Sequence, residues 1–227
     1  MKIETVLLIL ESILLIATII LLLYSIREGK DRRNLLLEVG KATKILTRQE
    51  YFLTVKDSMM DAKEEISGFI TGRPPSEDDH KRVKDIIQNI ERLTSQGIKV
   101  KYLMPKFHDR LQVGYLYTQA GAEVRYSPCA IANNIRYIII DYRTAVIGMP
   151  ECVGEKEATR KGYRIPSEGL ASILKDHFYG CWDQSVPYED YAKDVIRQTG
   201  ATPKVLEKEL HIDGKELERL AGIQKEV

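Results

Sequence analysis

The chain is poor in the residues that build metal centres and cross-links. Its 227 residues include three cysteines, Cys129, Cys152 and Cys181, and four histidines. The cysteines form no CxxC pair and take no metal-ligand spacing with a histidine, which argues against a structural zinc site or a disulfide framework. They read as small apolar residues in a reducing compartment. No metal and no cofactor is expected. Net charge is scarce as well. Lys and Arg total 34 against 33 acidic residues, which argues against bulk electrostatic capture of nucleic acid or anionic lipid. Nucleic acid is not expected as a partner, and any anion binding has to be local.

The longest apolar run is Val6 to Tyr24, about the length that crosses a ~30 Å hydrocarbon core at 1.5 Å per residue. Its 14 Val, Leu and Ile residues between Val6 and Leu23, at about −0.3 to −0.6 kcal/mol each, outweigh the ~3 kcal/mol cost of Glu11. Only Lys2 precedes the run, whereas Arg27, Lys30, Arg32 and Arg33 follow it, and no small-x-small cleavage site follows the apolar run. That is the wrong charge order for a cleaved signal and predicts a retained span with the rest of the chain on the cytoplasmic side. The expected partner of residues 6–24 is the lipid bilayer of the cell membrane, crossed once. Arg27 to Glu50, with Leu35, Leu36, Leu37, Val39, Ile45 and Leu46 among mixed charges, reads as a juxtamembrane helix weakened near Gly29 and Gly40.

From Tyr51 onward the periodicity alternates. A helix leads into a strand over Ile66–Thr71, and a polar loop from Gly72 to Asp79 precedes a second helix over His80–Gln96. Gly97 stops that helix before a strand over Ile98–Met104. A third helix over Asp109–Ala120 ends at Gly121, and Ala122–Tyr126 is again a strand. Repeated helix, glycine, strand units build a sheet with helices on its faces. Tyr137–Ile140 and Ala145–Ile147, joined by Asp141–Thr144, read as a hairpin. Cys152–Arg164 is a charged loop with Lys156, Arg160, Lys161 and Arg164 offset by Glu155 and Glu157. Gly169–Gln184 puts Leu170, Ile173, Leu174, His177, Phe178, Cys181 and Trp182 on one helical face.

The hairpin carries the chemistry. Asn134, Arg136, Asp141 and Gly148 occupy the places of His, Lys, Asp and Gly in His-x-Lys-x4-Asp-x6-Gly, the pattern of the phospholipase D superfamily, and the chain resembles a single-motif member of it from Gln49 to Ser185. The Gly169–Gln184 helix resembles the Phe-x3-Trp helix that follows the hairpin in such members. The resemblance implies an α/β fold with a phospholipase D-like sheet flanked by helices. It also implies a homodimer, since single-motif members build their site across a two-fold axis. In the family the His attacks phosphorus and the Lys holds phosphate oxygens. Asn134 has no basic lone pair for that attack, and Met149 and Glu151 stand where Ser and Asn usually follow the Gly. Arg136 keeps a forked anion-binding group, so a phosphate-containing ligand is the candidate partner. Glu151 adds a negative charge there, which favours a pocket closed by an Arg136–carboxylate pair over an open one. His108, in the loop after Met104, is the one alternative nucleophile or base, since α/β folds place ligands at carboxyl ends of strands.

After Pro187 the chain reads as short helices. Leu206 to Leu220 resembles the spacing of a helix-turn-helix, with Glu207 where a small residue usually packs and His211 where Gly is common. From Ala201 to Val227 there are five basic and six acidic residues, poor electrostatics for DNA. The expected organisation is an anchor over 1–26, a juxtamembrane helix or linker over 27–48, a phospholipase D-like domain over 49–187 and a helical tail over 188–227. The expected role is that of a membrane-anchored, cytoplasm-facing pseudoenzyme that binds or scaffolds. The alternatives are a phosphodiesterase or nuclease with a non-standard nucleophile and a membrane-tethered DNA-binding regulator.

Overall fold

Burial on two faces explains the uninterrupted apolar run at Tyr137–Ile140. The structure, a computed structural model, describes residues 3–42, 44–74, 80–129, 135–149, 161–200 and 203–222. It falls into two units, Met1–Ala42 and Thr43–Val227.

The first unit is one helix, α1 (Ile3–Ala42). It runs through Gly29 and Gly40 without a break, since one glycine costs a helix only about 1 kcal/mol relative to Ala. Within it, Leu10–Lys30 is long and apolar enough to cross a membrane.

The second unit opens with a strand where a helix was expected. Lys44–Thr47 forms β1, with Leu46 buried and Ile45 66% exposed; this is the period-two alternation of an edge strand with one covered face. Thr47 then starts α2 (Arg48–Met60). Its Oγ1 accepts from the Glu50 N–H at 3.4 Å, and Glu50 Oε2 accepts from the Thr47 N–H at 2.9 Å. This reciprocal capping box holds the Glu50 carboxyl below its ordinary range, chiefly through the Thr47 N–H.

The remaining elements are β2 (Glu65–Phe69), α3 (His80–Ser95), β3 (Lys99–Pro105), a 3-10 turn at His108–Arg110, α4 (Leu111–Gln119), β4 (Glu123–Ser127), β5 (Arg136–Ile140), β6 (Thr144–Met149), β7 (Lys161–Pro166), α5 (Glu168–Trp182), β8 (Val186–Pro187), α6 (Tyr188–Thr199), α7 (Pro203–Leu210) and α8 (Gly214–Ala221). The strands form one eight-stranded sheet in the order β1-β7-β6-β5-β2-β3-β4-β8. Only β2, β3 and β4, joined through α3 and α4, run parallel to one another; the other pairs are antiparallel.

Two expectations at the sheet are corrected. β2 ends at Phe69 rather than Thr71, because at Ile70 the chain leaves its ladder with β5. The charged segment Cys152–Arg164 is not all loop: Lys161–Arg164 belongs to β7, which joins β6 to β1. Lys156, Arg160, Glu155 and Glu157 lie outside the described residues. Gly162 is required in β7, since a Cβ there would sit 2.6 Å from the Tyr51 ring.

One face of the sheet, with Ile66, Tyr102, Met104, Tyr126, Ile138, Ile140 and Val146, is covered by α2, α3, α4 and α6. The other, with Phe69, Leu103, Tyr137 and Ile139, is covered by α5 through Ala171, Phe178 and Trp182. Ile173 is not on that packed side and is 56% exposed. At its half-buried margin the α5 contact is cationic over aromatic. Lys101 lies 5.0 Å from the Tyr179 centroid and Arg125 lies 4.8 Å from that of Trp182. Tyr179 also donates to the buried Glu65 at 2.7 Å. The tail helices α7 and α8 bury Leu206, Ile212, Leu217 and Leu220 in the same cluster as α6. His211 turns the chain between them at φ 51°, the left-handed geometry that favours glycine there.

Between β5 and β6 the chain turns at Asp141 and Tyr142, both at positive φ (46° and 57°), closed by the Arg143 N–H on the Ile140 carbonyl at 3.0 Å. The Asp141 carboxylate accepts from three backbone N–H groups, those of Lys63 at 2.7 Å, Glu64 at 2.9 Å and Glu65 at 3.0 Å. Asp141→Ala leaves these three donors without their shared acceptor and is expected to cost about 2 kcal/mol. Denaturant titration of the two proteins checks this; an unchanged midpoint would show that water replaces the carboxylate at no cost.

Candidate functional site

Arg136 opens β5, opposite Gly148 of β6. Strand alternation puts it on the face of Ile138 and Ile140, the face that α2 and α4 cover. Because β5 runs against β2, this is also the end of the sheet at which β2, β3 and β4 terminate. In open α/β sheets, loops at that end hold ligands.

Two further arginines come to this end. Arg110 closes the 3-10 turn after β3 and is only 8% exposed. Its backbone is fixed by Tyr126, whose hydroxyl donates to the Arg110 carbonyl at 3.1 Å. Gly114 leaves room for that hydroxyl, since a Cβ there would meet it at 2.1 Å. Arg73 follows Gly72, which adopts φ 58° close against Met104 and Arg110. Burial lowers the Arg110 pKa from its ordinary value, Asp109 opposes this, and the charges of Arg73 and Arg136 lower it further. Arg136 is likewise felt by Tyr51, whose hydroxyl burial pushes up to about 12 against the pull of that guanidinium.

Three guanidiniums thus share one electrostatic neighbourhood. Arg110 pairs with Asp109 at 3.1 Å, and its buried Nε has no hydrogen-bond partner among the described residues. Arg110 is buried, Arg136 half-buried and Arg73 exposed; like charges brought near one another repel, and a bound anion relieves that repulsion while accepting forked hydrogen bonds. The arrangement suits a phosphate or sulfate group. Among the described residues, the groups beside it that could act as a base are the exposed His108, two residues before Arg110, and the Asp109 carboxylate already paired with Arg110.

Asn134 and Glu151 lie outside the described residues, and with Glu151 so does the expected closure of the pocket by a carboxylate beside Arg136. Asp141 is not brought to Arg136. It stands at the other end of β5, roughly 16 Å away at ~3.3 Å per residue, with its carboxylate committed to three amides. Gly148 is buried beside Arg136 in the ladder. Sequence reasoning missed Arg73 and Arg110, although the rule that singles out His108, its place after a strand's carboxyl end, applies equally to Arg110.

A second missed grouping lies on the α5 face. His177 and Cys181, one turn apart on α5, meet Cys129, which follows β4. The His177 Nε2 is 3.9 Å from Cys129 Sγ and 3.8 Å from Cys181 Sγ. The His177 Nδ1 is 2.8 Å from the Tyr137 hydroxyl, which donates to the Leu174 carbonyl at 3.2 Å. Burial, followed by the neighbouring Cys129, pushes the Cys181 thiol up to about 11. The i, i+4 spacing of His177 and Cys181 was legible; their meeting with a residue 48 positions before His177 was not.

No family model matches the sequence, and no curated protein matches it. The structure is similar to solved ones. Nuc from Salmonella typhimurium, a phospholipase D family member, superposes with a TM-score of 0.51 at 17% identity, over 64% of this chain and 97% of that one. NucT from Helicobacter pylori gives 0.48 at 15%, over 64% and 98%. TrmBL2, an archaeal chromatin protein described as binding DNA in a novel mode, gives 0.48 at 17%, over 72% and 64%. That DNA binding is a property of that protein. The chain has a phospholipase D-like fold: an eight-stranded sheet between helices, with an apolar N-terminal helix and a short helical tail.

If the arginine cluster is held at a cost in stability, removing its most buried member should stabilise the chain. Arg110→Met keeps the length and removes both the charge and the unpartnered Nε. In phosphate-free buffer it is expected to raise unfolding stability by on the order of 1 kcal/mol. Thermal melts of both proteins measure it, and a clear loss of stability would mean that the Asp109 pair outweighs the repulsion.

Proposed function

We propose that this chain is a membrane-anchored phospholipase D-like pseudoenzyme that binds a phosphate-bearing ligand and acts as a binding or scaffolding module. The observation that carries the reading is the placement of Arg73, Arg110 and Arg136 at the end of the sheet where β2 and β3 terminate and β5 begins, in a chain whose motif has Asn134 at the nucleophile position. Arg136 and Gly148 keep the places of the motif's Lys and Gly, and Arg110 adds a buried positive charge. With the family's attacking group replaced, the arginines can hold an anion but supply no nucleophile themselves.

The anchor in this reading is the span within α1, supported by its length and apolar composition and by the basic residues that follow it, which orient the second unit to the cytoplasm. The homodimer rests on the resemblance to single-motif members. A phosphodiesterase using His108 is the alternative enzyme. A DNA-binding regulator is the alternative binder, supported by the helix-turn-helix order of α7 and α8. In that tail Arg219 is spent on Glu189 and Glu216, at 2.9 and 2.8 Å, which weakens the DNA reading.

The full-length chain in detergent, assayed against bis(p-nitrophenyl) phosphate, is expected to show no turnover, and Asn134→His alone is expected to restore none. Turnover abolished by Asn134→Ala would refute the reading, and turnover abolished by His108→Ala would establish the phosphodiesterase instead. Duplex DNA titrated at several salt concentrations is expected to give no saturable binding. For the anchor, alkaline carbonate should leave the chain in the membrane fraction, and its release would contradict a spanning helix.

A further inference from the structure

We propose that Cys129, His177 and Cys181 form a site for a thiophilic cation, with zinc(II) as the ion their geometry fits. The three donor atoms lie within 4.8 Å of one another. In a tetrahedral zinc site, bonds of about 2.3 Å to sulfur and 2.0–2.1 Å to nitrogen put ligand atoms roughly 3.3–3.8 Å apart. The two sulfur–nitrogen distances, 3.9 and 3.8 Å, need to close by only a few tenths of an ångström. Two sulfurs and an imidazole select zinc(II) or copper(I) over magnesium or calcium.

The contacts of His177 place Nε2 toward the two sulfurs and Nδ1 toward the Tyr137 hydroxyl. The Tyr137 hydroxyl has one proton. When it is given to the Leu174 carbonyl at 3.2 Å, the same oxygen accepts from His177 Nδ1, 2.8 Å away. In that tautomer Nε2 presents its lone pair to Cys129 and Cys181, and this is the tautomer the proposed site uses. A histidine that ligates through one nitrogen and donates from the other to a protein oxygen is the recurrent arrangement at metal centres. The ring is held from the side by Phe69, at a centroid distance of 5.5 Å. Cys129 is held by its own N–H on the Oγ of buried Ser127 at 3.2 Å.

Three protein donors and no fourth His, Cys or carboxylate in the group leave one position for water or an exchangeable ligand among the described residues. The site is separate from the arginine cluster, because Tyr137 and Arg136 alternate to opposite faces of the sheet. An ion here would tether Cys129, five residues before Asn134, to α5.

Cobalt(II) titrated anaerobically into the reduced full-length chain in detergent tests the site. The expected result is one equivalent bound with a thiolate-to-cobalt charge-transfer band, displaced by one equivalent of zinc(II). Cys129→Ser and Cys181→Ser should each abolish the band, and Cys152→Ser should leave it. Tyr137→Phe, which removes the Nδ1 acceptor and little volume, should keep the band while weakening affinity about 10- to 100-fold. No stoichiometric band, a band that survives both Cys129→Ser and Cys181→Ser, a band lost in Cys152→Ser, or an affinity unchanged in Tyr137→Phe would each overturn the assignment.

Discussion

Asp141 gives both carboxylate oxygens to the backbone that enters β2, and the placement of the candidate site depends on this. The aspartate sits in a turn at positive φ, where Asp is tolerated because a short polar side chain can bond locally. By holding the amides of Lys63, Glu64 and Glu65, it locks the β5–β6 hairpin to the first parallel strand. That sets Ile140 opposite Ile66 and Tyr137 opposite Phe69. A slip of one residue would exchange the two faces of β5, turning Arg136 toward α5 and Tyr137 away from His177. The motif's aspartate thus sets register from the far end of the strand, with its carboxylate committed to three amides.

The sheet is covered on both sides, and its two faces carry different chemistry at the same end. On the α2 and α4 side, positive charge accumulates: Arg110 is buried, Arg73 and Arg136 act on it, and Tyr126 holds its backbone in place. On the α5 side lie sulfur and imidazole donors, Cys129, Cys181 and His177, beside the Tyr137 hydroxyl, whose pKa burial raises. Arg136 and Tyr137 are adjacent in sequence, and the alternation of a strand is what separates the two environments.

The α3–β3–α4–β4 succession and the hairpin were legible because each strand is a β-branched or aromatic run and each helix keeps a periodic stripe. The strands that escaped detection are the ones whose apolar content is thin. β1 offers Ile45 and Leu46, which also fit the leucine-rich helix before them, and only the capping pattern Thr47-Arg48-Gln49-Glu50 marks where a new helix starts. β7 offers Tyr163 and Ile165 among Lys161, Gly162 and Arg164, and Gly162 is there for Tyr51, a contact no local pattern encodes. At the site, spacing alone identified Arg136. Arg73 and Arg110 join it through tertiary structure, from loops after β2 and β3, as Cys129 joins His177 and Cys181.

The claim on which the account rests is that the arginine end of the sheet takes a phosphate group, and the thermal stability of the full-length chain against inorganic phosphate tests it most directly. A ligand bound only by the native state at a hundredfold excess over Kd adds about 2.7 kcal/mol, a readily measured rise in Tm. The account predicts a saturable rise that Arg110→Met and Arg136→Ala each abolish and that sodium chloride at equal ionic strength does not reproduce. No rise in the wild type, or a rise retained in both variants, would contradict it and leave Arg136 paired within the protein.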